Sequence, residues 1–311
     1  MGVALLKKKY IAYLGAVLCT ELWGTAFPFI KLGYESLAIA EGDVGSKLLF
    51  AGQRFAIAGM LVFIVSLFFN KKSAIPKKAD IVPVLLLGFV QTTLQYLFSY
   101  VGVGFTTATN TSVITGTTSL ISVIMAGLLL KNDKLTIIKI AGCIIGFSGI
   151  FFVNFGSLNF VSVTFLGDLL TLISAFCGAG GNIITKKVAG NRNPVTLTAF
   201  QLFFGGVLLI VAGIVSGGAT DYNSVKSVLI LCWLSFVSAT AFLLWTILLK
   251  YHPVSRISVF NMLVPVFGTL WSGILLGEDI LKWQNLLSLI LISFGIILVN
   301  VQLPQRCKNG D

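Results

Sequence analysis

Apolar residues in this chain run in long, nearly unbroken stretches, separated by short clusters of lysine, glycine, proline and polar residues. Breaking the chain at those clusters leaves ten segments, at about 10–31, 47–69, 81–101, 106–130, 135–154, 166–188, 194–216, 226–249, 254–276 and 281–301. Each is close to the ~20 residues that an α-helix needs to cross a hydrocarbon core. Barrel strands would instead alternate polar and apolar positions over about ten residues. The pattern therefore predicts an all-α integral membrane protein with ten transmembrane helices.

Composition narrows this further. The 311 residues are 56% hydrophobic and 11% charged, with a mean hydropathy of +0.96, whereas soluble domains carry about 25% charged residues. Ten spans of about 20 residues leave only short loops, too short for a soluble catalytic or DNA-binding domain. The net charge of +11 does not call for nucleic acid, because a nucleic-acid binder gathers its basic residues on one face and here they are scattered between apolar runs. Topology explains them. With the N-terminus inside, seventeen of the 22 cations fall in cytoplasmic segments, Lys31, Lys47, Lys226 and Lys282 fall outside, and Arg54 lies within a span. This is the positive-inside bias, and it predicts a multi-pass protein of the cytoplasmic membrane with both termini in the cytoplasm. Of the five cysteines, Cys19, Cys143, Cys177 and Cys232 sit in apolar runs and Cys307 in the tail, so no disulfide framework or metal spacing emerges. No metal or cofactor is expected. Lys7-Lys8-Lys9 followed by an apolar run resembles the start of a signal peptide, but the run continues to Lys31 with no small-residue cleavage site and reads as a retained first span.

The chain also resembles itself. A shift of 146 residues sets Gly149–Asn154 against Gly295–Asn300 and Asp133 against Asp279. A shift of 147 sets Arg54 against Gln201 and Gly59 against Gly206. Agreement over several segments in nearly one register predicts two repeats, 7–154 and 162–303, each of five helices. An odd number of spans per repeat inverts one half relative to the other, an architecture used by secondary transporters around a central midplane cavity; duplication kept for folding alone is the bland alternative.

Polar residues inside spans are the candidate chemistry. Glu21 lies about 16 Å beyond Tyr10 and Arg54 about 10 Å beyond Lys47 at 1.5 Å per residue, both costly depths for a charge. The two are at similar depth, so the sequence allows a Glu21–Arg54 pair; Glu21 is then either a strut, a proton-coupling carboxylate or a ligand for an amine. Thr111, Thr115, Thr118 and Ser122 form one helical stripe, and Gln91, Gln95, Tyr96 and Tyr100 add amides and hydroxyls suited to a small polar solute. Trp23 and Trp245 are placed to flank the cavity, Asn261 to line it, and Trp283 to anchor at the interface. Pro28 and Pro265 fall within spans and free backbone carbonyls. Gly142, Gly146 and Gly149 make a small-residue face that fits either packing within the bundle or a homodimer.

The stretches Leu22–Lys31, with Trp23-Gly24 and Pro28, Phe50–Phe55, with Arg54, the block ending Gly149–Asn154, and then Gly167–Leu170, Pro265 and Gly277-Glu278-Asp279 resemble, in that order, the ten-helix EamA-like branch of the drug/metabolite transporter superfamily. The resemblance covers nearly the whole chain. It implies two five-helix repeats around a central cavity and export of small metabolites such as amino acids, with sugars or drugs as alternatives within the same fold. Glu21 is not part of that pattern, and Gly178 stands where the second repeat would match Trp23. The chain has no GxxxxGK[ST] loop for nucleotide phosphates, so energy would come from an ion gradient, protons among the candidates, or from the substrate itself. A lipid-modifying membrane enzyme is the rival from another class; it suffers from a single histidine, His252, and from the absence of clustered carboxylates. A channel or sensor is a further rival.

Overall fold

The computed structural model describes residues 7–69, 75–103, 105, 108–154, 165–277 and 283–301, with the side chains at 69, 108–113, 151–154, 284 and 285 outside that description. Among the described residues there are ten helices and no strand: α1 (Lys9–Ser36), α2 (Val44–Phe69), α3 (Lys78–Val103), α4 (Ala108–Leu129), α5 (Ile137–Asn154), α6 (Phe165–Ala189), α7 (Pro194–Val215), α8 (Val225–Tyr251), α9 (Val254–Leu276) and α10 (Trp283–Asn300). Seven are long and apolar enough to cross a membrane by length and composition. The other three contain shorter apolar stretches, Ile114–Leu129, Ile137–Ile150 and Leu286–Asn300.

Local chemistry sets several boundaries. Asp43 accepts from the Ser46 N–H at 2.9 Å ahead of α2, Asn193 accepts from Val195 N–H with Pro194 opening α7, and Ser224 accepts from Ser227 N–H at the start of α8. Each supplies an acceptor to a backbone donor that the first helical turn leaves without a partner. The Ser46 hydroxyl and N–H also hold the Asp43 carboxyl below its ordinary pKa. α1 continues five residues past Lys31, because a lysine at a helix end can extend its ammonium to water while its methylenes stay apolar. Pro28 sits inside an unbroken α1. Pro265, by contrast, follows a 3-10 turn over Val259–Leu263 that interrupts α9. α3 carries a break that no proline announces, a π-helical turn over Gly88–Leu94.

Packing proceeds in pairs. α2 lies along α7 and α5 along α10; α1 packs on α8 and α9, and α6 on α3 and α4. The α2–α7 crossing is backbone on backbone: a Cβ built on Gly206 would lie 2.4 Å from Ala56 N, and one on Gly52 would lie 2.6 Å from Ile210 N. The small face of α5 meets α10, where a Cβ on Gly295 would lie 2.5 Å from Gly142 O and 2.7 Å from Gly146 N. That face is therefore consumed inside the bundle, and the homodimer alternative loses the surface that suggested it. On the outside the bundle presents bare apolar side chains, such as Phe68 at 84% and Ile137 at 85% exposure, which suits a lipid surround and not water.

Candidate functional site

Arg54 is the one charge that α2 carries deep into the bundle, and it is buried, at 3% exposure. Its Nε donates to Ser238 Oγ of α8 at 2.7 Å. The Ser238 hydroxyl in turn donates to Leu234 O one turn earlier, at 2.9 Å, so its proton is committed and its lone pair is what Arg54 receives. The guanidinium carbon lies 4.7 Å from the Phe55 ring centroid, a cation–π contact. The Phe55 ring in turn packs on Tyr96 at 4.5 Å between centroids, and Tyr96 on Tyr100 at 6.3 Å. From Phe55 an aromatic chain continues to Phe242 at 6.0 Å, on to Trp23 at 5.5 Å and to Trp245 at 5.1 Å. Trp23 and Trp245 thus pack edge to face against each other.

Below this chain of rings sits a hub that the sequence did not single out. Asn182 of α6 donates to Ser122 of α4 (3.2 Å) and Ser258 of α9 (3.3 Å), and its carbonyl accepts from Trp245 Nε1 at 3.0 Å. One amide thereby joins four helices. Its signal was a polar residue after Gly180-Gly181 in an otherwise apolar run, but the same can be said of many spanning-helix residues. A second amide cluster uses the π turn of α3: Gln91 accepts from Gln201 Nε2 of α7 at 3.1 Å and from Thr185 of α6 at 3.3 Å. Gln95 packs its amide over Gly178, where a Cβ would come within 3.2 Å of it. Gly178 thus has a reason of its own for standing where a tryptophan would match: a large side chain would displace Gln95.

The α4 stripe changes character along its length. Ser122 is buried and bonded to Asn182, Thr118 is half-buried and Thr115 is exposed, while the Thr111 side chain lies outside the described residues. Residues at these spacings share one face, so the face that makes contact at Ser122 meets open space at Thr115. α9 behaves correspondingly, packing on α4 through Val254–Leu263 and on α1 through Val264–Leu276. Inside the bundle, Trp23 Nε1, Asn261 Oδ1, Ser119 Oγ and the Tyr34 hydroxyl are buried with no hydrogen-bond partner. Buried polar atoms are rarely left so, and a polar solute or water within the bundle would satisfy them.

Glu21 is not part of this cluster. No ion pair joins it to Arg54 among the described residues. At 100° per residue it shares the α1 face of Leu14 and Leu18, which are 70% and 45% exposed, and lies about 160° from Cys19 and Trp23. Axial depth made the pair possible, and azimuth forbids it. Glu21→Gln is accordingly expected to leave transport and its pH response indistinguishable from wild type in vesicle uptake; a lost response to an imposed pH gradient would return Glu21 to the mechanism.

One rim of the bundle is closed by polar ties. Arg192 donates to Asp80 at 2.6 Å, Lys250 to the Arg192 carbonyl at 2.6 Å, and Lys186 to the carbonyls of His252 and Lys250. Asp133, before α5, accepts from Ser255 N–H at 2.8 Å, from the Ser255 hydroxyl and from Lys139 at 2.7 Å. Lys7 lies over the Tyr251 ring at 5.2 Å, placing the start of α1 at this same lysine-rich rim. No cluster of His, Cys, Asp or Glu able to hold a metal occurs among the described residues.

Comparison with known proteins agrees with this architecture. The family model described as the EamA-like transporter family matches residues 10–155 and again 165–301. A relative from Escherichia coli (strain K12), named "Probable amino-acid metabolite efflux pump", is 27% identical, the match covering 90% of this chain and 92% of that protein. A Salmonella typhimurium protein of the same name is 25% identical over 90% and 92% of the two chains. An "Uncharacterized transporter" of Archaeoglobus fulgidus is 28% identical over 83% and 86%. A solved crystal structure superposes with a TM-score of 0.78 at 17% identity, covering 94% of this chain and 97% of that one, which speaks to the fold alone. A multi-span helical bundle with a polar interior, matched by one family model over both halves, is a membrane transporter of small molecules and not an enzyme: the chain belongs to the EamA-like transporter family.

Proposed function

We propose that the protein is a secondary transporter that exports a small polar metabolite, an amino acid or a related solute, across the cytoplasmic membrane by alternating access. The observation that carries this reading is the likeness, over about nine tenths of both chains, to two relatives named as amino-acid metabolite efflux pumps. Buried donors and acceptors without partners inside the bundle support it from the chemical side. The lysine-rich rim is the cytoplasmic one by the positive-inside bias, which puts both termini in the cytoplasm and opens the α4 stripe toward the outside.

Two inverted five-helix repeats, 7–154 and 162–303, make the mechanism intelligible. Exchanging the halves turns α1 into α6 and α4 into α9. The packing of α1 on α8 and α9 then corresponds to that of α6 on α3 and α4, while α2–α7 and α5–α10 map onto themselves. Two similar halves of opposed orientation have two near-equivalent arrangements, closed at one rim or at the other. Coupling to a proton or another ion, or exchange against a second solute, would supply direction. Metabolite profiling of cells that lack or overproduce the protein tests the reading. An amino acid or close relative is expected to accumulate inside the deletion strain and outside the overproducer; equal pools in both across a broad panel would overturn export.

A further inference from the structure

We propose that Arg54 is the anion-binding centre of the bundle interior and takes the carboxylate of the cargo, so that the substrate class is carboxylate-bearing solutes, α-amino acids first among them, rather than amines or neutral sugars; this rests on the transport reading above. A guanidinium in a low-dielectric interior is expensive without a counter-charge, yet among the described residues no carboxylate lies within ion-pair reach of Arg54. Its protein contacts are the single bond from Nε to Ser238 and the Phe55 ring. Among the described residues the two terminal NH2 groups have no acceptor, and unlike Trp23 Nε1 they are not fully sealed from open space. A structural arginine is normally tied through this end. Here the end is left free, and its planar fork matches the two oxygens of a carboxylate.

The surroundings fit an α-amino acid. Nearer the outer end of α1, the Tyr34 hydroxyl is buried with no hydrogen-bond partner among the described residues, a donor that a polar solute on its way out could meet. The aromatic chain from Phe55 through Phe242 to Trp23 offers ring faces to an ammonium group, and Asn261 Oδ1 is a buried acceptor without a donor. Along the route to the outer rim, Lys47 lies over the Tyr34 ring at 5.4 Å, which keeps the path toward Arg54 electropositive.

The test uses the full chain in lipid nanodiscs, titrated with the twenty L-amino acids, with their methyl esters and with chloride, binding being read by tryptophan fluorescence and by the melting midpoint. The wild type is expected to bind at least one free acid about 10- to 150-fold more tightly than its ester, the range for hydrogen bonds to a charged group. Arg54→Gln should bring the acid down to the ester's affinity and leave the ester unchanged. Arg54→Lys, which keeps the charge and loses the fork, should fall between. Without ligand, Arg54→Gln should melt no lower than wild type, since only the Ser238 contact and the ring contact are lost. The proposal is overturned by equal binding of acid and ester, by an acid preference that survives Arg54→Gln, by saturation with chloride alone, or by a ligand-free Arg54→Gln protein that melts well below wild type, the mark of a strut. Unchanged metabolite pools with the acid preference intact would fail the export reading and leave this one standing.

Discussion

Gly206→Ala is expected to cripple folding although it adds a single methyl group. A Cβ at this position would lie 2.4 Å from Ala56 N, 2.8 Å from Gly52 O and 2.9 Å from the Phe55 carbonyl carbon. All three are main-chain atoms of α2, so no side chain can swing aside, and α2 and α7 must separate along the most extensive contact in the bundle. Leu202, Leu209 and Phe55, fully buried at that seam, then lose contact together. Overpacking costs about 1–3 kcal/mol where side chains can adjust; here the cost belongs at or above the upper end. Gly180→Ala is the control, because a Cβ there meets nothing within 4 Å and alanine is the better helix former by about 1 kcal/mol. The expected result in fluorescence-detected size exclusion is a sharp loss of folded Gly206→Ala protein beside a normal or more stable Gly180→Ala. A Gly206→Ala protein that melts like wild type would mean that the two backbones do not touch.

That seam also shows what the sequence could and could not say. The ten apolar segments are legible because length and hydrophobicity are one-dimensional properties: 194–216 and 254–276 became Pro194–Val215 and Val254–Leu276 almost unchanged. Arg54 and Gln91 were legible for the same reason, as polar groups at depth. Their partners were not. Ser238 is 184 residues from Arg54 and Gln201 is 110 from Gln91, and such pairings exist only once helices are packed. The setting of Glu21 was hidden for a related reason: counting residues gives depth along an axis, but a helix apolar all round gives no azimuth, so the sequence could not say that Glu21 faces with Leu14 and away from Trp23. The α5 glycines told that something approaches closely, without telling whether it was α10 or another copy of the chain. The π turn of α3 had no signal, since the approach of Gly88 to Gln201 and of Gly205 to Thr92 that accompanies it is tertiary.

Asp133→Ala is expected to abolish transport by releasing the closed rim, and it separates a structural tie from a moving one. The carboxylate is 4% exposed and holds the connection before α5 to the first turn of α9 through the Ser255 N–H and hydroxyl, with Lys139 as counter-charge. A negative charge at a helix N-terminus is favoured by the dipole as well as by the hydrogen bonds. Removing it leaves a donor of α9 without its acceptor and takes the counter-charge from Lys139, which keeps only the Lys134 carbonyl among the described residues; breaking a fully buried pair typically costs about 3–5 kcal/mol, and with Lys139 partly exposed the cost belongs toward the lower end. In alternating access, that loss falls on the state in which this rim is shut and spares the state in which it is open. The population should therefore move toward the open rim while the bundle stays folded, because the α2–α7 and α5–α10 seams are untouched. Ser258, 0% exposed behind Asp133 and bonded to Asn182, is the reporter. Placed as a lone cysteine after replacement of the native ones, Ser258→Cys should resist a water-soluble maleimide from the lysine-rich side and react readily once Asp133→Ala is added. Asp133→Asn, which keeps an acceptor for the Ser255 N–H, should react at an intermediate rate. If Asp133→Ala transports normally and position 258 stays protected, the rim ties are scaffolding and the moving seal lies elsewhere.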